Sequence, residues 1–542
     1  MDAPSYEETI AMIRGTFGDK VVFKESTKKN VKAINEKRRI YMSTDRETIY
    51  DLCKLLHDTL NYEQATSVCA VDYIDTVQVV YHITNYLTGI MVEITVDLPD
   101  GDLHIPSVAL IWEGANFHER ETYELFGVIF EGHPNLKRLL TPTSYEFYPF
   151  RKSYKLRGQE EMTDNQYENR MDTDKMWITM GPQHPFSHGL WTLRIKADGE
   201  IVTDAEPEIG YLHRGWEKEC ENRTYPKIIP MADRLCYSAS MTWSHVYCKV
   251  VEEALDIEVP ERAQYLRVIA DEICRIQSHL MWLAAVGTDL GNLTVFLWAL
   301  REREFFLDLN VRLCGQRLTT NYPRIGGVRN DMPYYFERDC MRCVERFEQV
   351  GLPEILKLST DSSPFVGRMK GIGYITAKDV ANWGVTGPAM RGCGVDYDVR
   401  RDDPYDAYGE LEFEVPVLNK NSTKGGDTYD RFLIRIEEMY QSCEMIRQSF
   451  KKLQSLPKEA PSRVKVPRCV PAGTHVAKIE DPRGESIMYL VSDGTDKPYR
   501  LKVRSPIFVN VSASKHMVQG VRIADIPSIM AMIDMCLGET DR

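Results

Sequence analysis

"PERAQYLRVIADEICRIQSHLMWLAAVGTD", residues 260–289, is the stretch that decides the fold. Leu266, Ile269, Ile273, Ile276, Leu280 and Leu283 recur at spacings of 3, 4, 3, 4 and 3, which is the seam of an α-helix packed in a bundle. Pro260 stands where such a helix begins, because its fixed φ suits a first turn and its missing N–H costs nothing there. "RFLIRIEEMYQSCEMIRQSFKKL" (431–453) reads as a second long amphipathic helix, so a central helical bundle is predicted.

On either side of the bundle the period changes to two. "LWTLRIKADGEIVTD" (190–204) has the alternation and Asp-Gly turn of a β-hairpin. Beyond the proline-rich "LPKEAPSRVKVPRCVPAG" (456–473), strand patterns return in "SIMYLVSDG" and "YRLKVRSP". Near the N-terminus, "TVQVVYHIT" puts Val77, Val79, Tyr81 and Ile83 on one face; "IMVEITVDL" does the same with Ile90, Val92, Ile94, Val96 and Leu98. Sheet strands with one buried face are expected there, ending in the turn-forming "PDGD".

The predicted fold class is therefore α+β. A small α+β unit (1–155) is followed by a join (156–175) and a larger unit (176–542) with a helical bundle and flanking sheets. Within the join, "QEEMTDNQYENRMDTDK" (159–175) has six acidic residues, two basic ones and almost nothing apolar, so it cannot offset its ordering entropy by burial.

Composition narrows the function. A net charge of −13 over 542 residues argues against a nucleic-acid binder, which needs a basic stripe to neutralise phosphates. The apolar runs "LMWLAAVG" and "LTVFLWAL" are interrupted by Asp289, Gly291 and Asn292 and fall short of the roughly 18–20 residues a membrane span needs. No signal peptide is visible, and thirteen scattered cysteines read as reduced thiols rather than a disulfide framework.

Chemistry concentrates in few places. "GPQHPFSHG" (181–189) holds His184 and His188 between Gly-Pro and Gly; as a loop it could ligate a metal, present a proton donor, or simply turn. Asp289, set between two apolar runs, needs either a buried partner such as a protonated histidine or a role as N-cap of the following helix. Cys340 and Cys343 form a single CxxC, half of a metal site, and read as two helical thiols. "RIGGV" (324–328) and "RGCGV" (391–395) match no nucleotide loop.

Longer stretches carry a resemblance. "GPQHPFSHG", "GYLHRGWEKECENRTY", "ADRLCYSASM", "NYPRIGGV", "GVDYDVRRDDPYDAY", "LVSDGTDKPYRLKVRSP" and "LGETDR" together resemble the quinone-site D subunit of respiratory complex I. "ANFHERETYELFGVIFEGHPNLKRLLTP" with "PFRKSY" is similar to the C subunit of the same enzyme, so the chain resembles a C–D fusion. The resemblance implies a peripheral-arm subunit on the cytoplasmic side of the inner membrane. Its implied neighbours are the subunit holding the terminal iron–sulfur cluster, other peripheral-arm subunits and proton-pumping membrane-arm subunits. It also implies quinone as the substrate and no metal or cluster held by this chain alone. By the same resemblance His188 and Tyr237 meet the quinone headgroup, Asp289 pairs with His188, and His184 and Arg234 line the region.

The D part is also similar in fold to the large subunit of nickel–iron hydrogenases, whose two CxxC motifs hold the metals. Here the early pair falls on Cys236 and Ala239 and the late pair on Cys536 and Glu539, so each retains only its first thiol and a two-metal site is poorly held. A hydrogenase-like subunit that has lost its metal site, or a non-catalytic scaffold, are the alternatives. Cys236 stands where most relatives have Asp. Thr319 stands where many have His, which would fit a lower-potential acceptor such as menaquinone.

Overall fold

The computed structural model describes residues 4–24, 38–155, 176–420, 422–457 and 459–542; the acidic join at 156–175 lies outside them. The first unit is built from helix α1 (Tyr6–Phe17), strands β1 (Val21–Lys24) and β2 (Arg39–Thr44), helix α2 (Ile49–Asp58), strands β3 (Gln64–Asp72), β4 (Thr76–Thr84) and β5 (Met91–Pro99), and helix α3 (Ala115–Phe126). Ser5 starts α1 with a reciprocal capping box to Glu8. The sheet runs β1-β2-β5-β4-β3, with β2 parallel to β5 and the other pairs antiparallel.

Val77, Val79, Tyr81 and Ile83 face one core, shared with Leu52 and Leu56 of α2. The expectation of a single buried face is corrected by the other side: Cys69, Val71, Val80 and Met91 form a second apolar cluster with Val476, Ile487, Tyr489 and Val491. The two halves of the chain thus share a continuous dry contact. Beside it the seam is ionic. Lys502 reaches Glu121 at 2.7 Å and Arg542 reaches Glu121 at 2.9 Å across it, while Arg500 reaches Glu217 at 2.7 Å within the larger unit, all buried.

The larger unit opens with an antiparallel sheet of β6 (Met176–Met180), β7 (Thr192–Asp198) and β8 (Ile201–Glu208), the last two forming the expected hairpin. Its bundle comprises α4 (Ser240–Leu255), α5 (Glu261–Asp289), α6 (Leu293–Cys314), α7 (Phe336–Arg346) and α8 (Thr428–Ser455), with α5 packed against α4, α6 and α8. A second antiparallel sheet follows, β9 (Gly473–Asp481), β10 (Gly484–Ser492) and β11 (Pro498–Arg504), then α9 (Pro506–Val518) and α10 (Leu537–Asp541). Among the described residues no helix is long and apolar enough to cross a membrane.

The seam residues of α5 are buried as its periodicity requires, but so is its polar face. Glu272 receives Arg275 at 3.1 Å, Arg400 at 3.2 Å, and the hydroxyls of Tyr408 and Ser442 at 2.6 Å each. His245 sits between Asp271 (2.6 Å) and Asp406 (2.9 Å); burial opposes its charge, yet the two carboxylates push its pKa up to about 9. Buried charges persist only when paired in this way. The CxxC lies on α7, with Cys340 buried and Cys343 partly so, as two helical thiols.

Candidate functional site

Residues 181–191 form a loop that is tied down at both ends. Trp191 N–H donates to the Pro182 carbonyl at 3.0 Å, and His188 joins the segment before α10 as a parallel bridge. In that bridge His188 N–H donates to Met535 O (2.8 Å) and Leu537 N–H donates to His188 O (2.9 Å). Gly189 adopts φ +118°, and a Cβ there would meet Leu212 at 3.0 Å and Leu537 at 3.1 Å, so only glycine lets the loop lie so close to α10. His188 is consequently 7% exposed and fixed in place.

Tyr237, in the loop that leads into α4, is 39% exposed. Its hydroxyl lies 2.6 Å from His188 Nδ1, and the two rings meet edge to face at 5.3 Å. Burial, reinforced by the nearby Cys536 and Cys236, pushes the phenol pKa well above its ordinary value, so Tyr237 is a neutral O–H. A part-exposed tyrosine is thereby coupled to a buried imidazole.

Behind His188 the structure places Asp534, with its Oδ1 3.6 Å from His188 Nε2. This corrects the expectation that Asp289 pairs with His188. Asp289 is the last residue of α5, and its Oδ1 lies 3.8 Å from Nδ1 of His184 instead. The N-cap alternative also fails, because Asn292 caps α6 by accepting from Val295 N–H. Burial pushes the Asp289 carboxyl up to about 7 and lowers the His184 pKa, so both are held toward their neutral forms. His184 leans on Phe186, ring centres 4.1 Å apart. The Arg234 guanidinium is exposed and donates to the Pro230 carbonyl at 2.6 Å, so among the described residues it is not drawn to the histidines.

Burial alone would raise the Asp534 pKa, but Arg483 and His188 hold it well below the usual carboxylate range. Arg483, in the β9–β10 turn and fully buried, donates to Asp534 O (2.8 Å), Asp534 Oδ1 (3.2 Å), Ser238 Oγ (2.8 Å) and Cys236 Sγ (3.3 Å). One side chain thus ties together the Tyr237 loop, the β9–β10 turn and the segment before α10. Sequence reasoning misses Asp534 and Arg483. The available signal was a lone carboxylate inside the apolar "SIMAMIDMCLG" (528–538), the same signal that singled out Asp289.

Cys236 and Cys536 meet in the same place. Their sulfurs and a carboxylate oxygen of Glu539 lie within 4.8 Å of one another, and all three residues are buried. These are the residues among those described that could hold a metal. The partners lost from the two CxxC positions, Ala239 and Glu539, leave two thiols and one carboxylate.

The N-terminal unit matches the family of the respiratory-chain NADH dehydrogenase 30 kDa subunit over residues 42–160. The larger unit matches that of the 49 kDa subunit over 289–468 and 464–542. A C/D-type subunit of the NADH-quinone oxidoreductase of Aquifex aeolicus is 35% identical over 96% of this chain and 98% of its own length. The chain belongs to the family of fused complex I C/D subunits. Another member of the family, the C/D-type subunit of a Sulfurihydrogenibium species, is 36% identical over 81% of this chain and 83% of its own. The D subunit of Geobacter metallireducens is 41% identical over 68% of this chain and 99% of its own, so the larger unit alone accounts for a complete D subunit.

Proposed function

We propose that this chain forms the quinone-reduction site of a complex I-type oxidoreductase, with Tyr237 and His188 as the headgroup contacts. The observation that carries the reading is the 2.6 Å contact between the hydroxyl of a part-exposed tyrosine and a buried histidine braced by Asp534. Reduction of a quinone to a quinol takes two electrons and two protons. The chain supplies proton chemistry: Tyr237 O–H can donate to a carbonyl oxygen, and His188 behind it can replace that proton. The electrons come from a terminal iron–sulfur cluster in a neighbouring subunit, and the coupling to proton pumping resides in membrane-arm partners. The names of the relatives, NADH-quinone oxidoreductase subunits, support quinone as the acceptor.

His184, on the same loop, and Asp289, at the end of α5 and 3.8 Å from it, line the region beside the headgroup rather than contacting it, as does Arg234 from outside. Menaquinone is the quinone proposed, from Thr319. The chain sits peripherally on the cytoplasmic face of the inner membrane. The test is to purify the assembled complex carrying Tyr237→Phe or His188→Gln and measure donor-driven reduction of a short-chain menaquinone analogue. A hydrophilic acceptor that takes electrons upstream serves as control. Quinone reduction falls by roughly 10²–10⁴-fold, the typical contribution of a positioned acid or base, while the control rate holds. Undiminished quinone reduction in both variants leaves only a scaffolding role.

A further inference from the structure

The thiols beside the His188–Tyr237 pair carry a separate reading that stands whether or not a quinone meets Tyr237. Cys236 and Cys536 are each 1% exposed and Glu539 is 0% exposed. Their two sulfurs and one carboxylate oxygen lie within 4.8 Å of one another. In a tetrahedral site with sulfur at about 2.3 Å and oxygen at about 2.1 Å from the ion, donor atoms stand roughly 3.6–3.8 Å apart, so shifts of about 1 Å complete the geometry.

The hydrogen bonds around Glu539 point to a cation. Trp243 Nε1, which can only donate, reaches Oε2 at 2.8 Å. The Ser505 hydroxyl donates to Oε1 at 3.0 Å, while its oxygen accepts from Ile507 N–H at 3.1 Å. Both carboxylate oxygens are therefore met by donors, an arrangement suited to an ionised carboxylate. The nearby Arg483 is committed to Asp534, Ser238 and Cys236. A buried carboxylate with two donors and two thiols in reach has the make-up of a metal ligand set with its outer hydrogen bonds in place. Arg483 N–H on the Cys236 sulfur at 3.3 Å is the kind of contact that stabilises a metal-bound thiolate. Gly538 allows the ligands to converge, since a Cβ there would stand 2.7 Å from Leu235 O.

We infer that Cys236, Cys536 and Glu539 bind one zinc-class divalent cation, with the fourth position open to water. Binding displaces the two thiol protons to solvent, and no change of oxidation state is involved. Thiolate sulfur selects zinc or cobalt over magnesium or calcium. The ion would pin the loop carrying Tyr237 to the segment that braces His188.

The test uses the full-length chain, stripped with a chelator and titrated with Co²⁺. One equivalent binds and gives thiolate-to-cobalt charge-transfer absorption with the strong visible bands of a tetrahedral site, and Zn²⁺ displaces it one for one. The C236S/C536S variant loses the charge-transfer band, E539Q binds at least tenfold more weakly, and C469S, at the exposed cysteine, behaves as wild type. Urea midpoints of the stripped variants confirm folding; should the double variant not fold, C536S alone is read in the same way. The inference is overturned if no charge-transfer band forms, if the band survives in the serine variants, or if thiol counting shows Cys236 and Cys536 joined as a disulfide.

Discussion

Replacing Arg483 with Met tests whether the proposed site is held together by one buried ion pair. The guanidinium is 0% exposed and Asp534 is 1% exposed, 3.2 Å apart. Arg483→Met removes the charge that holds the Asp534 carboxylate in the core and frees acceptors on Asp534 O, Ser238 and Cys236. Breaking one side of a buried pair costs about 3–5 kcal/mol, because the remaining charge is left uncompensated. Asp534→Asn leaves Arg483 stranded and costs a similar amount. In the double variant neither charge remains, so its loss falls short of the sum of the singles by about 2–3 kcal/mol. The assay is urea unfolding followed by tryptophan fluorescence, with all four proteins compared at pH 7 and again in acid. The folded Asp534 value is depressed, so its stabilisation is complete above the ordinary carboxylate value of about 3.9 and is lost as pH falls below it. The gap between wild type and Asp534→Asn therefore closes in acid. Costs that add to within about 0.5 kcal/mol at pH 7 would show that the pair is not a unit and refute the bracing role.

Other outcomes follow from the same geometry. Asp289 has a folded pKa of about 7 against an unfolded value of about 3.9, so the folded state keeps a proton that the unfolded state releases. Stability falls as pH rises between these values; urea midpoints of Asp289→Asn lack this slope, and the variant exceeds wild type at pH 8. Tyr237→Phe, at a 39% exposed position, changes stability by no more than about 1.5 kcal/mol in the same urea assay, the worth of one hydrogen bond, which separates its catalytic loss from misfolding. Gly538→Ala drives a methyl against Leu235 O and costs about 1–3 kcal/mol, with quinone reduction falling more than the upstream acceptor control. Lys502→Met leaves Glu121 across the seam, and Glu217 on its own side, with less compensation and costs about 3 kcal/mol, seen as faster proteolysis of the native chain.

Helices α5 and α8 and the β7–β8 hairpin were legible in the sequence because an apolar seam or an alternating face is a local property of 10–30 residues. The loop holding His184 and His188 was legible as a loop for the same reason, from its Gly and Pro residues. Its role came from the resemblance. Polar residues such as Glu272 and His245 could not be read as buried, since their burial depends on partners as far as 170 positions away. The choice between Asp289 and Asp534 as partner of His188 was equally out of reach. Both are lone carboxylates in apolar runs, and only the backbone bridge from His188 to the segment before α10 brings Asp534 behind its ring.

By itself, then, the sequence determined the two long helices, the hairpin, the strands of alternating pattern, the α+β class and the family, all of which follow from local pattern and long motifs. The tertiary structure alone decided three things: that the N-terminal sheet buries its second face against β9 and β10, that Arg483 joins three separate segments, and that two thiols converge with Glu539. Each depends on which distant segments a cooperative core brings together, and a charge or thiol carries no local mark of the partner it will meet.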